Sequence, residues 1–254
     1  MELNLNKVKL LDDERIDQLY SNDFRIIQSP NVFSFSIDAV LLANFANPVM
    51  KKGAKVVDLC AGNGAVGIFM SNKVNGEIIE VEIQERLANM AKRSIELNDL
   101  AEKISVINQD LNQLGNQIKK DSVDMITCNP PYFLNSDMSQ KNENQHYAIA
   151  RHEITVNLEQ IIKVSSGLLK FGGKINFVYR PDRLLEMLDK MRRYNIEPKK
   201  IQMVHPKPGK EANMVLVQGI KAGKKGGLRY LYPITIADEK GQYTGIVREL
   251  LYGK

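Results

Sequence analysis

Blocks of apolar and polar positions follow one another along this chain and predict strands and helices in turn. Short apolar runs occur at residues 55–59, 76–83, 104–108 and 123–128. Runs of this length are typical of buried strands in a parallel sheet. Residues 85–98 and 156–170 instead have apolar positions every three or four residues, which predicts helices. Strands that alternate with helices in this way predict an α/β fold.

The first 50 residues precede the first buried strand and carry two weaker signals. Residues 12–17 are mostly charged, which predicts a solvated helix or turn. Asp38 comes directly before the apolar run 39–45, so we expect it to be the N-cap of a short helix. That helix is expected to cover one edge of the structure that follows.

A glycine-rich turn separates the first buried strand from an apolar helix predicted at residues 65–70. Gly62 and Gly64 have no Cβ, so a ligand can approach their backbone closely. Asp58, at the end of the strand, offers an acceptor to an ammonium or hydroxyl group. Together with Gly67, the two glycines also match the dinucleotide motif GxGxxG, and an NAD site therefore stays open.

Two acidic residues lie at or just after the ends of the next two strands. Glu82 lies near the end of its strand, at the spacing expected for a ribose-binding carboxylate after a glycine turn. Asp110 follows strand 104–108, where it either accepts a hydrogen bond from a bound adenine or caps the next turn. Both lie at carboxyl ends of strands, the edge at which open α/β sheets bind ligands.

The strand at residues 123–128 stops at Asn129-Pro130-Pro131-Tyr132. The prolines fix φ and restrict the residues before them, so this turn is stiff. The Asn129 side chain and the Pro130 carbonyl can both accept from an exocyclic NH2 group, while Tyr132 can stack on a flat ring. The bland alternative is an ordinary proline turn. Polar residues 134–150 follow and predict a loop that orders over a substrate.

The order of these motifs resembles class I S-adenosylmethionine-dependent methyltransferases. The run from Asp58 to Gly64 is similar to that family's first motif, and Asn129 to Tyr132 looks like its amine-methylating motif. The resemblance implies a Rossmann-like fold with a mostly parallel seven-stranded sheet, an antiparallel last strand and helices on both faces. It implies S-adenosylmethionine as cofactor, in contact with Asp58, Ala61, Gly62, Gly64, Glu82, Asp110 and Asn129. It implies catalytic roles for Asn129, Pro130 and Tyr132.

The same resemblance implies one methyltransferase domain over residues 1–254. Residues 1–50 would cover the cofactor site, and residues 199–254 would form basic strands and loops. Residues 206–210, Pro-Lys-Pro-Gly-Lys, resemble the bacterial tRNA1(Val) adenine-N6 methyltransferase subfamily. That implies the N6 amine of a tRNA adenine next to the anticodon as the target. A guanine amine in ribosomal RNA, a protein glutamine amide and a non-catalytic RNA-binding protein on this scaffold stay open.

Composition and charge restrict the class of protein and its expected location. The only cysteines, Cys60 and Cys128, are far apart in sequence, which argues against a disulfide framework or a zinc site. No apolar run is long enough for a membrane span, so we expect a cytoplasmic protein. Because the cysteines do not form a zinc motif, we also expect no metal. The net charge is +5, and its distribution is uneven.

Basic residues concentrate between residues 199 and 230, where Glu211 is the one acidic residue. They are Lys199, Lys200, Lys207, Lys210, Lys221, Lys224, Lys225 and Arg229. We expect them to lie beside the methyl-transfer edge and to bind tRNA phosphates. A solvated lysine-rich surface is the alternative.

Overall fold

The computed structural model describes residues 8–19, 24–32, 36–47, 51–130 and 156–252. Its strands, in chain order, are β1 (Arg15–Leu19), β2 (Phe24–Gln28), β3 (Ala54–Leu59), β4 (Gly76–Glu82), β5 (Ile104–Asn108), β6 (Val123–Cys128), β7 (Leu169–Tyr179), β8 (Ile196–His205), β9 (Met214–Lys221), β10 (Arg229–Tyr230) and β11 (Ile234–Thr235). Its α-helices are α1 (Ile37–Ala46), α2 (Ala65–Met70), α3 (Glu85–Leu97), α4 (Leu158–Leu168), α5 (Leu184–Arg193) and α6 (Gly245–Tyr252). Strands and helices alternate through the middle of the chain, as the apolar pattern predicts.

One large sheet organises the molecule, with the strand order β10-β8-β9-β7-β6-β3-β4-β5 and with β11 also paired to β8. The strands from β3 to β7 run parallel, and β9 runs antiparallel to both of its neighbours. The predicted seven-stranded Rossmann-like sheet with an antiparallel last strand is therefore confirmed. Two short strands, β10 and β11, widen it along the outer side of β8.

Helices cover both faces of this sheet. Successive strand residues point to opposite faces, so Val56 and Met125 pack with α1, α2 and α6, while Val57 and Ile126 pack with α4 and α5. Helix α1 is buried on nearly every side because it lies between the sheet, α2 and α6.

Residues 12–17, predicted as a solvated helix or turn, instead enter a β-hairpin in which β1 and β2 pair antiparallel. Two carboxylates before β1 attach this hairpin to α3. Asp13 accepts a hydrogen bond from Arg86, and Glu14 accepts one from Arg93 at 2.6 Å. Residues 12–13 form the expected turn, but the prediction was wrong for residues 15–17, which lie in β1. The carboxylates are not simply solvated, because they have partners far away in the sequence.

Helix α1 confirms the short apolar helix, but its N-cap residue is Ser36 and not Asp38. Asp38 lies in the first turn, where its carboxylate accepts a hydrogen bond from the Ser36 hydroxyl. A negative charge in the first turn still interacts favourably with the helix dipole.

The last part of the chain, expected to form strands and loops, contains only two short strands, β10 and β11, before it becomes helical. Helix α6 ends it, with Val247 and Leu251 on the buried side of the helix four residues apart. Along the described ranges no helix, α6 included, is long and apolar enough to cross a lipid bilayer.

Candidate active site

The carboxyl ends of β5, β4, β3 and β6 lie side by side because these strands are parallel neighbours. We call this side of the sheet the carboxyl edge. The strand order reverses between β3 and β6, which is where open α/β sheets bind ligands. Four of the predicted site residues, Asp58, Glu82, Asp110 and Asn129, lie at or just after these strand ends.

The turn after β3 has a backbone that brings several residues into the left-handed region. Cys60, Gly62 and Gly64 have φ values of 59°, 59° and 86°. A Cβ built on Gly62 would meet no atom within 4 Å, so open space lies beside this backbone. The Ala61 N–H donates to a carbonyl of β4 at 3.0 Å, and the Asn63 side chain donates to a carbonyl of β2 at 3.1 Å. Asn63 thus joins the N-terminal hairpin to the glycine turn, a contact that was not predicted.

Asp58 is a buried carboxyl group with one satisfied oxygen. Its Oδ1 accepts a hydrogen bond from the Thr127 hydroxyl at 2.6 Å. Its Oδ2 is buried and has no hydrogen-bond partner among the described residues. Burial raises the pKa of Asp58 to about 7; the Thr127 bond lowers this pKa, and the charge of Glu82 raises it. A buried, unpaired acceptor of this kind suits a cationic group of a ligand.

Glu82 links the glycine turn to the end of β4. Its Oε2 accepts from the Gly62 backbone N–H at 2.8 Å, and its Oε1 accepts from the Gln84 N–H at 2.9 Å. Burial raises the pKa of Glu82, and these backbone hydrogen bonds oppose that rise. Because each carboxylate oxygen can accept more than one hydrogen bond, the predicted ribose contact is compatible with this arrangement.

Glu80 is a buried acid beside the predicted site residues that sequence reasoning missed. It is fully buried, it pairs in register with Asp58, and neither of its oxygens has a hydrogen-bond partner within the described ranges. Burial raises the pKa of Glu80 well above its usual range, and the charge of Asp58 raises it further. The signal was available, since Glu80 interrupts an apolar run two residues before Glu82 and so shares its face of the strand.

The Glu80 carboxyl also explains two glycines, Gly64 at the N-cap of α2 and Gly67 within that helix. A Cβ on Gly64 would lie 2.6 Å from one Glu80 oxygen, and a Cβ on Gly67 would lie 2.2 Å from the other. Both distances are too short for a real contact. The GxGxxG spacing at Gly67 therefore serves the packing of a buried acid and gives no support to an NAD site.

Asp110 caps a turn, one of its two predicted interpretations. Its Oδ1 accepts from the Asn112 backbone N–H at 2.9 Å, at the start of a short 3-10 helix (Leu111–Asn116). It lies two residues beyond the end of β5, beside the end of β4. The adenine contact expected of Asp110 stays a prediction.

Asn129 and Pro130 follow β6 directly, next to the end of β3. The Asn129 Oδ1 atom is buried and has no hydrogen-bond partner among the described residues. An amide oxygen without a partner is ready to accept a hydrogen bond from an incoming NH2 group. Pro131, Tyr132 and the loop at 134–150 lie outside the described residues, and their predicted roles stay predictions.

The two cysteines meet at the ends of β3 and β6. Cys128 is buried and Cys60 is half-buried, and both are free thiols. Burial raises the pKa of the Cys128 thiol, and interaction with Cys60 raises it further. A thiol with a raised pKa is a poor nucleophile. Over the described part of the chain, no group of three or more His, Cys, Asp or Glu side chains could hold a metal ion.

The basic residues expected at one edge of the sheet divide between two edges. Lys207 and Lys210 follow β8, which ends at the carboxyl edge. Strand β9 runs the opposite way, so the loop after it, with Lys224 and Lys225, lies at the other end of the sheet. Lys199 is used internally, since it donates to two backbone carbonyls of that loop. The expectation that all eight flank the methyl-transfer edge was therefore wrong.

A parallel sheet with one antiparallel strand between β7 and β8, and a glycine turn beside acidic residues at the carboxyl edge, define a class I methyltransferase fold. The chain belongs to the methyltransferase small domain family, which it matches over residues 23–194. The predicted class is thereby confirmed, and the alternative of an NAD site is wrong.

Two curated relatives illustrate the similarity in sequence. The tRNA1(Val) (adenine(37)-N6)-methyltransferase of Bacteroides fragilis is 28% identical over 183 residues, which cover 71% of this chain and 74% of the relative. The protein of the same name from Aliivibrio salmonicida is 23% identical over 184 residues, covering 72% and 75%.

Solved structures show the same fold. An Agrobacterium tumefaciens protein described as a predicted O-methyltransferase superposes with a TM-score of 0.65 at 24% identity, covering 84% of this chain and 94% of its own. A geranyl diphosphate methyltransferase in complex with S-adenosylmethionine has a TM-score of 0.55 at 14% identity, covering 72% and 84%.

The raised pKa of Glu80 predicts how stability depends on pH. A carboxyl whose pKa is higher in the folded than in the unfolded protein loses stability as pH rises through that interval. We expect Glu80→Gln, which is neutral and similar in shape, to remove up to about 1.4 kcal/mol per pH unit of this decline. The variant should be more stable than the wild type at pH 8. Urea unfolding between pH 5 and 8 measures this difference.

Glu77→Gln is the matched control, because Glu77 lies in the same strand but is exposed. It should leave the pH dependence unchanged. A Glu80→Gln variant with the wild-type slope would mean that Glu80 is ionised in the folded protein.

Proposed function

We propose that this protein is an S-adenosylmethionine-dependent methyltransferase that methylates the N6 amine of an adenine in tRNA. The observation that carries the proposal is the buried, unpartnered Asn129 Oδ1 at the end of β6, beside the acidic glycine turn after β3. Supporting it, curated relatives at 22–28% identity are named tRNA1(Val) (adenine(37)-N6)-methyltransferases. A cytoplasmic location follows from a tRNA substrate.

The residues at the carboxyl edge fit the cofactor. Asp58 Oδ2 is a buried acceptor without a partner, which suits the ammonium group of an amino acid. Glu82 is held in place by backbone N–H groups and has capacity left for ribose hydroxyls. Space beside Gly62 lets a ligand lie against the backbone. When bound, S-adenosylmethionine supplies a methyl group on a positively charged sulfur.

Asn129 and Pro130 activate the target amine. The lone pair of an aromatic amine is delocalised into the ring, which makes the amine a weak nucleophile. Hydrogen bonds from the amine to Asn129 Oδ1 and to the Pro130 carbonyl favour a more pyramidal, electron-rich nitrogen. Positive charge develops on that nitrogen during transfer, and fixed acceptors stabilise it. Holding the amine in position lowers the barrier further.

Basic loops at the carboxyl edge bind the tRNA. Lys207 and Lys210 are exposed in the loop after β8, on the same side of the sheet as Asn129. A built Cβ on Gly241 would lie 3.8 Å from Lys207 Nζ, so the loop that carries Lys240 lies next to them. These lysines suit contacts with phosphates on either side of the target base.

Removing the amide of Asn129 tests the amine-activation step. Asn129→Ala should lower turnover with tRNA by a factor of about 10²–10³, because one fixed polar group that stabilises the transition state is lost. Methyl incorporation from labelled cofactor measures the rate, and thermal unfolding checks the fold. The exposed Asn72→Ala serves as control and should keep the wild-type rate. An Asn129→Ala enzyme with full activity would contradict this mechanism.

Replacing the lysines at the carboxyl edge tests RNA recognition. Lys207→Ala with Lys210→Ala should weaken tRNA binding, and each lost phosphate contact should flatten the salt dependence by about 0.7–0.9 log units per log unit of salt. Lys224→Ala with Lys225→Ala, at the opposite end of the sheet, is the matched pair of exposed lysines. Equal effects of the two pairs would contradict the assignment to the carboxyl edge.

A further inference from the structure

The sheet ends on one side with strand β10 beside β8, and we call this side the outer edge. It carries two aromatic rings that the methyltransferase site does not use. Strand β10 pairs with β8 through Arg229 opposite Lys200 and Tyr230 opposite Ile201. Tyr230 is 73% exposed, and Tyr232, just beyond β10, is 92% exposed. Two exposed aromatic rings two residues apart offer a surface on which flat groups can stack.

The backbone of this edge is hydrogen-bonded to β8, although its rings are exposed. The Gln202 side chain donates to the Tyr232 carbonyl at 2.8 Å, and the Leu231 N–H donates to the Ile201 carbonyl at 2.8 Å. Tyr230 lies on a paired strand, and Tyr232 lies in a segment that is hydrogen-bonded to β8. A rigid platform lowers the entropy that a ligand must lose on binding.

Positive charge lies on the other face of this edge, because Arg229 and Tyr230 are successive residues of β10 and point to opposite faces. Lys174, Lys200 and Arg229 lie on β7, β8 and β10, and within the described ranges none of them forms a salt bridge. Burial lowers the pKa of Lys200, and the charges of Arg229 and Lys174 lower it further. Three mutually repelling cations are stabilised by a polyanion, which nucleic acid provides.

The edge is continuous with the methyl-transfer site. Strand β11 pairs with Val204 and His205 at the carboxyl end of β8, so the chain from Arg229 to Thr235 climbs along β8 toward the carboxyl edge. From β6 to β10 there are four strand spacings, about 19 Å in all. A single RNA strand of a few nucleotides reaches across such a distance.

We propose that the outer edge of β8 and β10 binds a single-stranded RNA segment that flanks the target base. Bases of that segment stack on Tyr230 and Tyr232, while its phosphates pass around the unpaired side of β10 to Lys200 and Arg229 on the other face. This inference rests on the proposed function and names a second contact surface for the same tRNA. Stacking platforms beside basic side chains are how proteins bind single strands without reading their sequence.

Pairing with a second copy of the chain explains the edge less well. Strand β10 has only two residues, and a second copy would bring the same positive charges against each other. RNA neutralises those charges and uses both rings.

Tyrosine variants test the stacking. Tyr230→Ala with Tyr232→Ala should weaken tRNA binding by about tenfold or more, the scale of losing one or two base stacks. The slope of affinity against salt should stay the same, because a ring neutralises no phosphate. Tyr230→Phe with Tyr232→Phe should restore binding. Phe171→Ala is the matched control, since Phe171 is 82% exposed but lies at the start of β7, at the other end of the sheet.

A charge variant tests the phosphate contact separately. Arg229→Gln should weaken tRNA binding and flatten the salt slope by about 0.7 for one single-strand phosphate. Lys92→Gln, an exposed lysine on α3, should change neither quantity. Affinity for S-adenosylhomocysteine, measured by calorimetry, should be the same in all of these variants and in the wild type.

The outcomes separate this inference from the proposed function. If the wild type binds and methylates tRNA and the edge variants do so equally well, the edge does not bind RNA and the inference is wrong. If sedimentation shows that the tyrosine variants change the oligomeric state, the edge is an interface between copies, which also overturns it. If the wild type binds S-adenosylhomocysteine but no tRNA, the proposed substrate fails instead.

Discussion

The candidate site depends on the hydrogen bonds that the Glu82 carboxylate accepts from the backbone of Gly62 and Gln84. A buried carboxylate is costly unless donors surround it, and here the donors come from the chain on both sides of β4. The glycine turn is consequently fixed to the end of β4. That places Asp58, on the neighbouring strand, at the same edge, with one buried oxygen still unpaired.

The central elements were predictable from sequence because buried parallel strands are short apolar runs and their helices are amphipathic. Strands β5 and β6 and helix α2 begin and end at the predicted residues. The N-terminal hairpin was not predictable in this way, because Asp13 and Glu14 are stabilised by arginines of α3 distant in the sequence. Local charge indicates exposure only when no such partner exists.

The residue types of the candidate site were predictable from sequence, but the buried residue beneath it was not. Asp58, Glu82 and Asn129 could be named because strand ends and turns mark them in the sequence. Glu80 was missed because its burial depends on a tertiary contact, the packing of Gly64 and Gly67 against its carboxyl group. The basic C-terminal segment was misplaced for a topological reason. Lysines close in sequence lie at opposite ends of the sheet once β9 reverses direction.

The central claim is that this protein places a methyl group on an adenine amine of tRNA. Mass spectrometry of nucleosides from purified tRNA tests it most directly, in cells that lack the protein and in the same cells supplied with it. The account predicts that N6-methyladenosine disappears from tRNA without the protein and returns when the protein is restored. An unchanged level of N6-methyladenosine in tRNA, together with the loss of a different methylated nucleoside, would contradict it.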